Sequence, residues 1–273
     1  MGSRNSKNGM SHHNDRPIGV FDSGLGGLTV VRAIRKVLPS QDIVYLGDTA
    51  RVPYGTKSET VIKRFAEEDV EFLQKFDVKL IVVACHTVSS VAFQHLRQNH
   101  PELPIISVLE PSVEAAIRAT KTHKIGIIGT VATIHSKRHE HELHKKGRFK
   151  VIAKPCPLFV PLVEEGLIDG EIPRLVAEHY LSGLIGKIDT LILACTHYPL
   201  LKPLIQDVVG EDVVLIDPSE EVALRVKSLL GESEPERKGK LEIYLTDIPP
   251  GYLALIERFL GEVPDAIIRT NLT

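Results

Sequence analysis

Two stretches decide the fold: Ile81-Val82-Val83-Ala84-Cys85-His86-Thr87 and Leu191-Ile192-Leu193-Ala194-Cys195-Thr196-His197. Each is a short, uncharged apolar run that stops on a cysteine and turns polar. Runs of this length bounded by polar turns suit a strand buried on both faces of a parallel sheet. A second pair echoes at nearly the same offset: Pro17-Ile18-Gly19-Val20-Phe21 and Lys124-Ile125-Gly126-Ile127-Ile128. The offset is 107 residues from Ile18 to Ile125 and 110 from Cys85 to Cys195. Two matches at close to one offset indicate an internal duplication.

Helical spacing fills the intervals. Leu28, Val31, Ile34, Val37 and Leu38 precede Pro39, which ends the helix. Residues 43–46 read as a second strand. Thr56 with Glu59 forms a capping-box pattern ahead of a helix carrying Ile62, Phe65, Ala66, Val70 and Leu73. Residues 89–97 read as helix and 105–108 as strand. After Asp217 come a helix over 220–230, a strand over 241–245 and a helix over 252–260, with a charged surface loop over 232–240. Strands alternating with helices predict an α/β protein of two pseudo-symmetric domains. Each is a mostly parallel sheet flanked by helices, with the active site in the cleft between them. The expected domains are residues 16–112 plus 222–273, and residues 113–221. Residues 1–15 are polar and read as a disordered leader or expression remnant.

Composition narrows the function. The apolar fraction is 43% and the charged fraction 25%, the values of a globular chain. A chain of 273 residues can build a core without a disulfide or metal staple. Basic and acidic residues number 33 and 35, for a net charge of −2, so no global basic field favours nucleic acid. The longest apolar run, residues 80–85, is far too short for a membrane span. The odd set Cys85, Cys156 and Cys195, with no secretion signal, points to the reducing cytoplasm.

In an open parallel sheet, ligands bind beyond the carboxyl ends of the strands. Asp22-Ser23-Gly24, Cys85-His86-Thr87 and Cys195-Thr196-His197 all stand there. A thiol's pKa lies near 8.5 and falls beside an imidazolium or a helix N-terminus. Two such thiols on opposite faces of a substrate carbon could take a proton from one side and return one from the other. Inverting a stereocentre without a cofactor requires that arrangement. Cys156, between Pro155 and Pro157, reads as structural. The loop Asp22 to Gly27 lacks the third glycine of a dinucleotide fingerprint, since Thr29 stands there. The histidines 135, 139, 141 and 144 lack companion ligands, so no metal is expected.

At these residues the chain resembles the cofactor-independent Asp/Glu racemase superfamily, and within it the glutamate racemases. The resemblance rests on Phe21-Asp22-Ser23-Gly24-Leu25-Gly26-Gly27, the loop from Gly47-Asp48 to Pro53-Tyr54-Gly55, Ala84-Cys85-His86-Thr87, Gly129-Thr130 through Thr133, and Cys195-Thr196-His197-Tyr198-Pro199. It implies interconversion of L- and D-glutamate for bacterial peptidoglycan, with no cofactor. It assigns Cys85 to the α-proton of D-glutamate and Cys195 to that of L-glutamate. Asp22 would assist Cys85, and Glu164 and His197 would assist Cys195. Ser23, Tyr54 and Gly55 would bind the side-chain carboxylate; His86, Thr87 and Thr196 would bind the amino and α-carboxylate groups. Asp22 and His197 would also border the substrate. The chain departs from the family at His86, where asparagine is usual, and at His139, where tyrosine is expected. An imidazole at position 86 should make turnover more pH-sensitive than asparagine would. The expected partners are glutamate and a second copy of the chain in a homodimer, with no nucleic acid and no membrane. Two other readings are an aspartate racemase and a noncatalytic carboxylate-binding protein.

Overall fold

The computed structural model describes residues 16–231 and 237–272, so the expected leader and residues 232–236 of the charged loop lie outside it. Among the described residues ten strands form two sheets. In chain order they are β1 Ile18–Asp22, β2 Ile43–Gly47, β3 Leu80–Val83, β4 Ile105–Ser107, β5 Lys124–Gly129, β6 Lys150–Pro155, β7 Thr190–Ala194, β8 Val214–Ile216, β9 Leu241–Leu245 and β10 Ala266–Arg269. The first sheet runs β10-β9-β2-β1-β3-β4 and the second β6-β5-β7-β8. Every pair is parallel. The order β2-β1-β3-β4 is repeated as β6-β5-β7-β8, which is the duplication in three dimensions. β1 and β3 occupy the places that β5 and β7 occupy in the second sheet. The cysteines after β3 and β7 therefore stand at equivalent strand ends.

Side chains alternate across each sheet, and helices cover both faces. Ile18 and Val20 of β1 pack with Val31 and Ile34 of the helix Leu28–Val37, and with Val222 and Phe259 near the C-terminus. Phe21 and Val83 face the other way, onto Phe65 and Leu73 of the helix Glu59–Gln74. In the second sheet Ile125 and Ile192 meet Val113 and Leu143. Leu191 and Leu193 meet Phe159 and Leu181, and these belong to the same continuous core as Ile18 and Val20. Hydrophobic packing thus runs unbroken from one half into the other. After β4 the chain builds the whole second sheet, then returns to the first with β9 and β10. No helix among the described residues is long and apolar enough to cross a membrane.

Two local expectations are corrected. Ser58, not Thr56, caps the helix Glu59–Gln74 by accepting from the Val61 amide at 3.4 Å. Thr56 belongs to a separate single turn, Tyr54–Thr56, and bonds the Pro53 carbonyl. The helix expected over 89–97 is two, His86–Val91 and Phe93–Asn99, broken at Ala92, where φ is −111°. Its first turn escaped notice because His86 and Thr87 are polar yet buried.

Candidate active site

The carboxyl ends of β1, β3 and β7 converge on a narrow cavity of about 30 Å³. Cys85 and Cys195 both line it, one from each half. Ser23, Tyr54 and Gly55 border it, as do His86, Thr87, Thr196 and His197. Of the residues singled out in the sequence, Asp22 and Glu164 stand behind this lining rather than in it.

Around Cys195, the sulfur lies 3.9 Å from His197 Nδ1, and His197 Nε2 lies 3.0 Å from Glu164 Oε1. Glu164 ends the helix Phe159–Glu164, whose apolar face, Phe159, Leu162 and Val163, is buried. Burial alone would lower the His197 pKa. Its hydrogen bonds to Cys195 and Glu164 outweigh that and raise it to about 10. The ring is 5% exposed and meets Phe259 edge-on at 5.1 Å. An imidazolium fixed beside a sulfur can stabilise negative charge there.

Around Cys85 the balance is reversed. Cys85 caps the helix His86–Val91, a position that was expected to lower its pKa. Burial and the nearby Asp22 charge prevail instead and push the thiol up to about 12. The Cys85 S–H donates to Ser23 Oγ at 3.5 Å. Asp22, 1% exposed, is itself raised by burial. It accepts from the Gly24 amide at 3.1 Å and from the Thr196 hydroxyl at 3.4 Å, so it links the two halves. One cysteine therefore keeps its proton while the other faces a cation. The cavity is chemically asymmetric although the strands that build it are equivalent.

His86 is 3% exposed and stacks on His139, with ring centroids 5.7 Å apart. Burial, then the neighbouring His139, holds His86 well below its usual pKa, and burial lowers His139 to about 4. A histidine with a lowered pKa is neutral above that value, so the expected pH sensitivity has no charge to act through. Rate profiles of the native chain and of His86→Asn should superimpose from about pH 5.5 to 9. A separation of the two within that range would show a titrating imidazole. Cys156 is fully buried, its thiol pushed up to about 12 by burial. Among the described residues no three His, Cys, Asp or Glu side chains gather as a metal site.

Two contributors belong to motifs quoted from the sequence but had no site role assigned there. Thr130 caps the helix Val131–His135, and its hydroxyl lies 2.9 Å from that of Thr133 and 3.0 Å from that of Thr87. This cluster joins the halves beside the cavity. Gly26 is the second. A Cβ there would stand 2.3 Å from Thr196 Oγ1 and 2.6 Å from His197 Nδ1, closer than packed atoms approach. Gly26→Ala should therefore displace the His197 ring and lower kcat about 10²-fold, with Tm little changed. A variant of native kcat would show that the ring position is not critical.

The chain matches the family model "Asp/Glu/Hydantoin racemase" over residues 28–225. It is 46% identical over 258 residues to a glutamate racemase of Chlorobaculum tepidum, covering 92% of this chain and 95% of the relative. It is 51% identical over 245 residues to one of Aquifex aeolicus, covering 90% and 94%. Among solved structures it is similar to the glutamate racemase of Francisella tularensis in complex with D-glutamate. The TM-score is 0.89 at 39% identity, over 95% of this chain and 98% of that one. An aspartate racemase of Picrophilus torridus shares the fold at 16% identity, with a TM-score of 0.56. With the model matched over well over half its length, and with relatives this similar across nearly all of theirs, the chain belongs to the Asp/Glu/Hydantoin racemase family.

Proposed function

We propose that this protein interconverts L- and D-glutamate by moving the α-proton between two cysteines, with no cofactor. The observation that carries the reading is the pair Cys85 and Cys195, at equivalent strand ends and lining one cavity, with Asp22 near Cys85 and His197 beside Cys195. The names of the relatives supply the substrate.

From L-glutamate, the Cys195 sulfur takes the α-proton, and the electron pair left on carbon spreads into the α-carboxylate. The His197 imidazolium, oriented by Glu164, stands beside that sulfur, where it can stabilise a thiolate acting as the base. Cys85, which retains its proton, donates it to the opposite face and gives D-glutamate. The sulfurs then hold each other's former protonation states and reset by exchange with solvent. From D-glutamate the roles reverse, with Asp22 assisting Cys85. Ser23, Tyr54 and Gly55 hold the side-chain carboxylate, and His86, Thr87 and Thr196 hold the amino and α-carboxylate groups. The reading keeps the domain limits 16–112 plus 222–273 and 113–221. It includes a homodimer in the cytoplasm that supplies D-glutamate for peptidoglycan.

A coupled assay with L-glutamate, L-aspartate and L-serine tests this. Turnover should be confined largely to L-glutamate; turnover of none would favour a binding protein. The pH dependence has a defined sign. A histidine whose pKa is raised on folding adds stability below its unfolded value, near 6.5, and loses it as pH rises through the folded value. The imidazolium is likewise lost there. Thus kcat/KM for L-glutamate should fall as pH rises through about 10, and His197→Asn should abolish that limb. An unchanged limb in the variant would assign it to another group.

A further inference from the structure

Tyr54 borders the cavity, yet its hydroxyl is turned away from it. The residue is 1% exposed, and its phenol donates to Asp48 Oδ2 and lies 3.2 Å from Asp69 Oδ2. Both carboxyl groups are fully buried. Asp48 also accepts from Arg51 Nε, and at its other oxygen from the Thr246 hydroxyl at 2.9 Å. The Arg51 guanidinium bonds Glu68 as well and lies 3.9 Å over the Phe65 ring, with Nη2 3.7 Å from Asp69 Oδ1. Arg51 thus faces three carboxyl groups, two of them shut off from water; Arg64 Nε lies 3.8 Å from the third, Glu68.

Proton counting decides what Asp69 must be. A phenol has one proton to give, and here Asp48 takes it. The contact between the Tyr54 oxygen and Asp69 Oδ2 would then join two acceptors unless Asp69 brings a proton of its own. Burial, with the Asp48 charge beside it, does raise Asp69 well above the carboxylate range. The proton chain then runs Asp69 to Tyr54 to Asp48, and Arg51 balances the charge at its end.

We propose that Asp69 is a positioning residue for substrate binding: as a carboxylic acid it donates to the Tyr54 oxygen and so fixes the turn Tyr54–Thr56 against the cavity. The Tyr54 phenol then serves as the anchor, and the backbone of Tyr54 and Gly55 is what meets the substrate's side-chain carboxylate. The turn is held from the far side too, since a Cβ on Gly55 would stand 2.8 Å from Thr130 Cβ. The inference rests on the racemase reading for the identity of that carboxylate. It adds a residue 15 positions along the chain from Tyr54, on the helix Glu59–Gln74, that touches no substrate.

The test compares Asp69→Asn with Asp69→Ala. An amide N–H can replace the acid O–H toward the Tyr54 oxygen; a methyl group cannot. Asp69→Ala should raise KM for L-glutamate about tenfold or more while kcat stays within about threefold, because the cysteines are untouched. Asp69→Asn should restore KM to within about threefold of native. A loss in kcat at unchanged KM, or an Asp69→Asn variant as impaired in KM as Asp69→Ala, would overturn the proposal. If Asp69→Ala does not fold, Asp69→Asn alone decides by the same KM criterion. An independent readout is the infrared C=O band of a protonated carboxyl at neutral pH, present in the native protein and lost in Asp69→Asn. Absence of that band overturns the inference whatever the substrate. Absence of glutamate turnover in the native chain, with the band present, strikes the racemase reading and leaves the Asp69 proton standing.

Discussion

Cys85→Ala and Cys195→Ala are each expected to lose about 10²–10⁴-fold in kcat for either enantiomer, the range that a positioned acid or base supplies. The loss should be similar in both directions, because each turnover uses one sulfur as base and the other as acid. Neither variant should lose much stability, since each removes one sulfur at the cavity wall rather than a large apolar side chain. Cys156→Ala is the control. That thiol is fully buried and donates to the Lys154 carbonyl at 3.6 Å, behind the lining of the cavity. Its removal should leave turnover near native. A folded Cys156→Ala variant as inactive as the other two would refute the assignment of the reacting pair.

The second large effect is isotopic and nearly all-or-none. With two sulfurs on opposite faces, the group that returns a proton is not the group that removed one. The returning S–H has exchanged with solvent before substrate binds. D-glutamate formed from L-glutamate in D₂O should therefore carry deuterium at Cα in almost every molecule. Residual L-glutamate should stay almost unlabelled at early times, because Cys195 hands its captured proton back to the same face. A single base serving both faces would carry protium into the product. NMR at a few per cent conversion distinguishes the two, and protium-rich product would rule out the two-cysteine mechanism.

The parts legible in the sequence were those governed by local pattern. β3 and β7 could be read because both faces are buried, which demands an unbroken apolar run, and because the residues that follow turn polar at once. β6 and β10 were not singled out: one ends on lysine and proline, the other on arginine, and neither is buried like β1. The cysteine pair followed from strand ends alone. The proton states did not, because the sequence shows Cys85 at a helix start and cannot show how deeply Asp22 is buried beside it. Asp69 was hidden for a related reason. Among Glu67, Glu68, Asp69 and Glu71 it looks like one more charge on a solvated helix face, and only packing against Tyr54 sets it apart. Gly26 read as a tight-turn glycine. Its real constraint comes from Thr196 and His197, which approach it from the far half of the chain.

The late return of the chain to the first sheet bears on how the protein is made. β2 pairs with β1 on one side and with β9 on the other. On the ribosome, Ile43 to Gly47 emerge early, but β9 follows only about 200 residues later, roughly 10–40 s at ordinary rates of synthesis. Throughout that interval one edge of β2 has no permanent neighbour, and an apolar edge strand is a template for mispairing between nascent chains. Thr246, whose hydroxyl bonds Asp48, arrives at the same late moment. That bond to Asp48, beneath the turn Tyr54–Thr56, is therefore among the last parts of the molecule to form, and a chain terminated before β9 would lack it while still carrying Cys85 and Cys195.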